Sequence, residues 1–196
     1  MGNCYRDGKG VVKDLKEAVH LYHLATDQGH APAQYLLGCC YEKGKGVVKD
    51  LKESVRLYEL AVKQNYTPAQ YNLGFCYEKG KGVDKDFREA VRLYGLAANK
   101  GSFLAQNSLR FCYEHGHGVP KDPKQAVHFY SLSAKQKYAP AQYNLGSCYQ
   151  FGKGVNKDLE KAINLYHLAA QQKHELAQYS LGCWASTVVP TSAIMM

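Results

Sequence analysis

The chain has 196 residues, 45% of them hydrophobic and 21% charged, which excludes intrinsic disorder and is enough to bury a sizeable core. No run of about 18 apolar residues is present to cross a bilayer, and the opening MGNCYRDGKG lacks the apolar centre of a secretory signal, so the expected compartment is cytoplasmic. A net charge of +8 favours acidic partners only where it gathers on one face, and the seven cysteines form no CxxC pair, which argues against a disulfide framework or a zinc site.

Near the N-terminus a predicted helix follows Asp14, and its counterpart after Asp50, LKESVRLYELAVKQN, places Leu51, Val55, Tyr58 and Val62 on one face at helical spacing. This segment is helix B. Asp14, Asp50 and Asp86 are each followed three residues later by Glu17, Glu53 and Glu89, the reciprocal capping pattern of a helix start. Pro123, after Asp122, occupies a first-turn position where its missing N–H costs nothing. Helix B is expected to end at Gly29, Asn65 and Gly101. Lys137 and Lys173 hold that place later, where a left-handed cap costs roughly 1 kcal/mol, so those two turns are expected to differ.

The segment AQYLLGCCYEKGKGVVKD begins at Ala33 and recurs with small changes from Ala69, Ala105 and Ala141, and LAQYSLGCW places Ala177 next; every step is 36 residues, without insertion. Within it Ala69, Leu73, Cys76, Tyr77 and Gly80 share a helical face, which defines helix A. The GKG between A and B, as at Gly44 and Gly46 or Gly80 and Gly82, supplies backbone conformations that residues with a Cβ resist. One such helix pair cannot bury its apolar faces, whereas stacked pairs can. The predicted fold is all-α, a right-handed α/α solenoid of stacked helix-turn-helix repeats with a 36-residue period. Residues 1–186 form one array and 187–196 a non-repeat tail. Met1, Gly2, Cys4 and Tyr5 match Leu37, Gly38, Cys40 and Tyr41, so the array begins inside a helix A, and it closes on an unpaired one. The expectation is a part of a larger assembly or a longer chain.

The pattern AxAQYxLGxCYEKGKGVxKDxxxAxxLYxLAA, as it stands from Ala33 to Val62 and from Ala69 to Ala98, resembles the Sel-1-like repeat, a relative of the tetratricopeptide repeat. The resemblance implies a helical adaptor without shared catalytic residues, and hence a protein partner. The copy containing Arg110 departs from it, because the others carry Gly38, Gly74, Gly146 and Gly182, and Asn107 replaces the tyrosine found at Tyr71 or Tyr143. An arginine there must swing outward or widen the stack.

Cys40, Cys76, Cys112 and Cys148 lie on the apolar face of helix A and are expected to act as small hydrophobes. GKG lacks the longer glycine spacing of a phosphate loop, His115 and His117 stand without further metal ligands, and no Ser/His/Asp or Cys/His set stands out. Neither enzyme activity nor a cofactor is expected. The sharper candidate is the side of helix A opposite its core face, where Tyr71, Phe75, Glu78 and Lys79 fall in line. Its expected partner-binding residues are Tyr35, Tyr71, Asn72, Phe75, Glu78, Phe111, Tyr143 and Asn144, since rigid aromatic rings among polar groups suit a peptide or helix. By resemblance to tetratricopeptide arrays, this side lines a concave groove. The alternative is a basic edge built from Lys9, Lys45, Lys81 and Lys153 with Lys13, Lys49, Lys85, Lys121 and Lys157, able to meet nucleic acid or an anionic membrane surface; the neighbouring aspartates make nucleic acid the weaker partner.

Overall fold

In the computed structural model residues 1–188 are described; residues 189–196, most of the expected tail, lie outside them. The described residues form helices and turns without a strand. In chain order the helices are α1 (Gly2–Asp7), α2 (Leu15–Asp27), α3 (Ala31–Lys43), α4 (Leu51–Lys63), α5 (Thr67–Lys79), α6 (Phe87–Asn99), α7 (Phe103–His115), α8 (Pro123–Lys135), α9 (Ala139–Phe151), α10 (Leu159–Gln171) and α11 (Glu175–Val188). Odd-numbered helices are the A helices and even-numbered ones the B helices. The chain divides into two compact units, Met1–Ala105 and the part from Gln106 onward.

Each B helix starts where an aspartate supplies what the free backbone lacks. The carboxylates of Asp14, Asp50 and Asp86 accept from the backbone N–H groups two and three residues on, at 2.8–3.1 Å. The reciprocal glutamate contact does not form, because the aspartate N–H groups already donate to the carbonyls of Tyr5, Tyr41 and Tyr77 in the preceding A helix. Glu53 and Glu89 turn instead to Arg56 and Arg92. The A helices end on glycines in the left-handed region, such as Gly44 at φ 66° and Gly80 at φ 67°, which donate back to Cys40 and Cys76.

In the first unit the core joins Ala18, Val19, Tyr22, Leu37, Cys40 and Leu57, then Val55, Tyr58, Leu73, Cys76 and Leu93. In the second, Val127, Tyr130, Ala141 and Leu145 form one cluster, and Ala162, Tyr166, Ala169 and Ala177 another. The A helix meets its B helix through a notch. A Cβ on Gly38 would lie 2.7 Å from the Tyr58 ring, and Gly74 and Gly146 receive Tyr94 and Tyr166 in the same way. Glutamine pairs add a polar tie: Gln64 donates to Gln34 at 2.9 Å, Gln136 to Gln106 at 3.2 Å and Gln172 to Gln142 at 2.8 Å. Lys100 breaks the series by donating to the Asn65 carbonyl, and the fully buried Gln70 amide has no hydrogen-bond partner among the described residues.

Candidate functional site

The face of the A helices is built around a tyrosine of the B helix that recurs with the repeat. Tyr58 donates to Glu42 at 2.9 Å, Tyr94 to Glu78 at 2.7 Å, Tyr130 to Glu114 at 3.3 Å and Tyr166 to Gln150 at 2.6 Å. Burial pushes the phenols of Tyr130 and Tyr166 up to about 12, so they stay protonated donors at neutral pH. Each pair is 16 residues apart, and that offset between a recurring tyrosine and a recurring Glu or Gln was the sequence signal that could have revealed it.

The candidate residues are anchored on this frame. Tyr35 packs on Tyr58 and Tyr66 with ring centroids 5.9 and 5.5 Å apart, and Tyr71 packs on Tyr94 at 5.7 Å. Asn72 donates to the Tyr58 hydroxyl at 3.3 Å. Together Tyr35, Tyr71 and Asn72 line a depression of about 360 Å3, rimmed by Lys100, Ser102 and the exposed Leu104. Phe75, half-buried and one turn along α5 from Tyr71, carries the ammonium groups of Lys81 and Lys79 over its ring at 4.8 and 5.7 Å. Glu78 is engaged by Tyr94 and by Lys79 at 2.6 Å, with its side chain 15% exposed.

In the second unit Tyr143 packs on Tyr166 at 5.4 Å and His174 at 5.0 Å, and Asn144 is half-buried beside it. Phe111 is 39% exposed and contacts the rings of His115 and His117 at 4.2 and 5.3 Å. Arg110, in the place of the notch glycine, neither points into solvent nor leaves Tyr130 unpaired. It lies over that ring at 4.9 Å and donates to the Tyr130 hydroxyl, Glu114 and Asn107 at 2.9, 2.7 and 3.1 Å. It covers the Tyr130 ring as Tyr71 and Tyr143 cover those of Tyr94 and Tyr166.

A family model described as the Sel1 repeat matches residues 1–30, 31–66, 67–102, 103–138 and 139–174. The chain belongs to the Sel1 repeat family. Among solved structures, the protective antigen c5321 of uropathogenic Escherichia coli, which displays this repeat fold, is 34% identical with a TM-score of 0.89, over 92% of this chain. The match takes in 39% of that antigen's length. A Sel1 repeat protein from Oxalobacter formigenes is 36% identical with a TM-score of 0.80, covering 87% of this chain and 70% of the other. The immunity protein Pa5087 of Pseudomonas aeruginosa is 25% identical with a TM-score of 0.51, over 89% and 67%. No protein of curated function matches in sequence.

Sel1 repeat proteins generally mediate protein–protein contacts and are generally non-catalytic. Cys40, Cys76 and Cys112 are buried, and burial pushes the Cys76 thiol up to about 12 and that of the half-buried Cys148 to about 11, far from a reactive thiolate. Among the described residues, no three His, Cys, Asp or Glu side chains gather as metal ligands, and no helix is long and apolar enough to cross a membrane.

Proposed function

We propose that this Sel1 chain is a non-catalytic scaffold or adaptor that holds a peptide or helix of a partner protein against its A helices. The depression shared by Tyr35, Tyr71 and Asn72 carries the reading: these side chains keep part of their surface open while their inner edges are fixed, so a partner buries aromatic area at little entropic cost. Phe75 and Glu78 extend the first patch along α5, and Phe111, Tyr143 and Asn144 form its counterpart in the second unit. Seven cysteines without a CxxC pair fit a cytoplasmic setting. The basic-edge alternative is weakened by Lys81, which is drawn to Glu42 and to Phe75.

A photoreactive amino acid placed at Phe75 or Phe111, and at Lys52 on a B helix as control, tests this directly in cell extract. The expected result is one partner crosslinked from both aromatic positions, absent from the control, and lost when Tyr71 is changed to Ala. Crosslinking chiefly from Lys52, or capture that disappears with Lys45→Gln/Lys81→Gln and moderate salt while Tyr71→Ala leaves it intact, overturns the groove in favour of an electrostatic binder.

A further inference from the structure

The joints between repeats in the first unit differ in charge. Between α3 and the turn after α5, Glu42 faces Lys81 with Nζ 3.7 Å from Oε1. One repeat earlier, Arg6 stands where Glu42 does and Lys45 where Lys81 does. The carboxylate of the rung has become a second cation. These residues, with Lys13, Lys43, Asp7 and Cys40, line a cavity of about 470 Å3. Asp7 offsets one positive charge, since Arg6 donates to its carboxylate through Nε and Nη2 at 2.7 and 2.8 Å. Three cations remain around one opening. The corresponding cavity of the second unit, about 460 Å3, is lined by Glu114, Lys121 and Lys153, and Glu114 is paired with Arg110, so the excess there is two cations against three at the first joint.

We propose that this cavity is a binding site for a doubly charged phosphoryl group. One carboxylate would leave most of the cationic excess standing, whereas a phosphoryl group brings about two negative charges and three acceptor oxygens. A planar arginine fork and flexible lysines suit it. The space exceeds a bare phosphate, so the group arrives either on a small phosphate ester or on a phosphorylated side chain. The site does not depend on the A-helix groove, because inorganic phosphate alone can probe it.

The experiment is an NMR titration of the full chain with inorganic phosphate at constant ionic strength, with chloride as control. Saturable shifts are expected at the amides of Arg6, Lys43 and Lys45 with phosphate and not with chloride. Arg6→Glu, which restores the carboxylate of the next rung, and the milder Lys45→Gln weaken binding about ten-fold or more, which is about 1.4 kcal/mol; Lys135→Glu, a like change in the second unit, leaves it unchanged. A phosphoserine peptide and a sugar phosphate, titrated in parallel, tell the two carriers apart by which binds more tightly. Absence of saturable shifts at these amides in the wild type, or equal binding by folded Lys45→Gln, overturns the proposal whether or not Arg6→Glu folds.

Discussion

The turn that closes each B helix keeps one backbone shape whatever residue occupies it. Gly29 and Gly101 adopt φ 78° and 81°, Asn65 59°, and Lys137 and Lys173 62° and 63°. The two lysine turns therefore do not differ as their side chains led us to expect; the same backbone hydrogen bonds close each turn, from Asn65 to Val62, Lys137 to Ala134 and Lys173 to Ala170, and the residue bears the strain. A lysine in this region costs roughly 1 kcal/mol relative to glycine, partly offset by the greater freedom glycine gives the unfolded chain. Lys137→Gly is expected to raise stability by about 0.5 kcal/mol, seen as a higher urea midpoint at unchanged slope; an unchanged or lower midpoint contradicts it. Arg110 shows what a single residue hides. Its identity announces a departure from the pattern, but its resting place over Tyr130 follows from the loss of a tyrosine at 107 and from a ring on the next helix.

At the scale of the element, the two glycines of each GKG turn have different duties. The first caps the A helix. The second, at φ 74° in Gly46 and 75° in Gly82, also packs against the first turn of the preceding B helix, where a Cβ would overlap the carbonyl oxygens of Leu15 and Leu51. Gly10 shares the conformation, φ 74°, but a Cβ there meets nothing within 4 Å among the described residues. Gly10→Ala is therefore expected to cost about 1 kcal/mol, the dihedral alone, and Gly82→Ala about 3 kcal/mol or more, since the backbone must also move. Equal losses in chemical denaturation would refute the close-packing role. The helices themselves were legible in the residues because period, caps and turn glycines are local signals. The missing half of the capping box was not. Whether Glu53 can reach the Asp50 N–H depends on Tyr41 having already taken it, a fact of tertiary contact.

Across the whole molecule, cohesion is distributed among neighbouring helices, so opening should be local and graded. Helix α1 has no buried residue, whereas α5 buries Ala69, Gln70, Leu73, Gly74 and Cys76. Native-state hydrogen exchange is expected to be on the order of 100-fold faster in α1 than in α5, and uniform protection would contradict this picture. The repeat and the fold class were open to inspection from spacing alone, since self-similarity is independent of three-dimensional context. The candidate face was only partly so. Helical spacing sets Tyr71 and Phe75 in line, but the packing of Tyr71 on the buried Tyr94 and the bonds of Asn72 to Tyr58 and of Glu78 to Tyr94 join neighbours that a one-helix projection leaves out. One further consequence lies in the joints. Gly46 sits on Leu15 as Gly82 sits on Leu51, so excision of residues 31–66 would seat Gly82 on Leu15 through the contact Gly46 makes now. A gene with this architecture can gain or lose whole units by copying error, each product inheriting joints that selection has already approved, and array length becomes a heritable quantity in its own right.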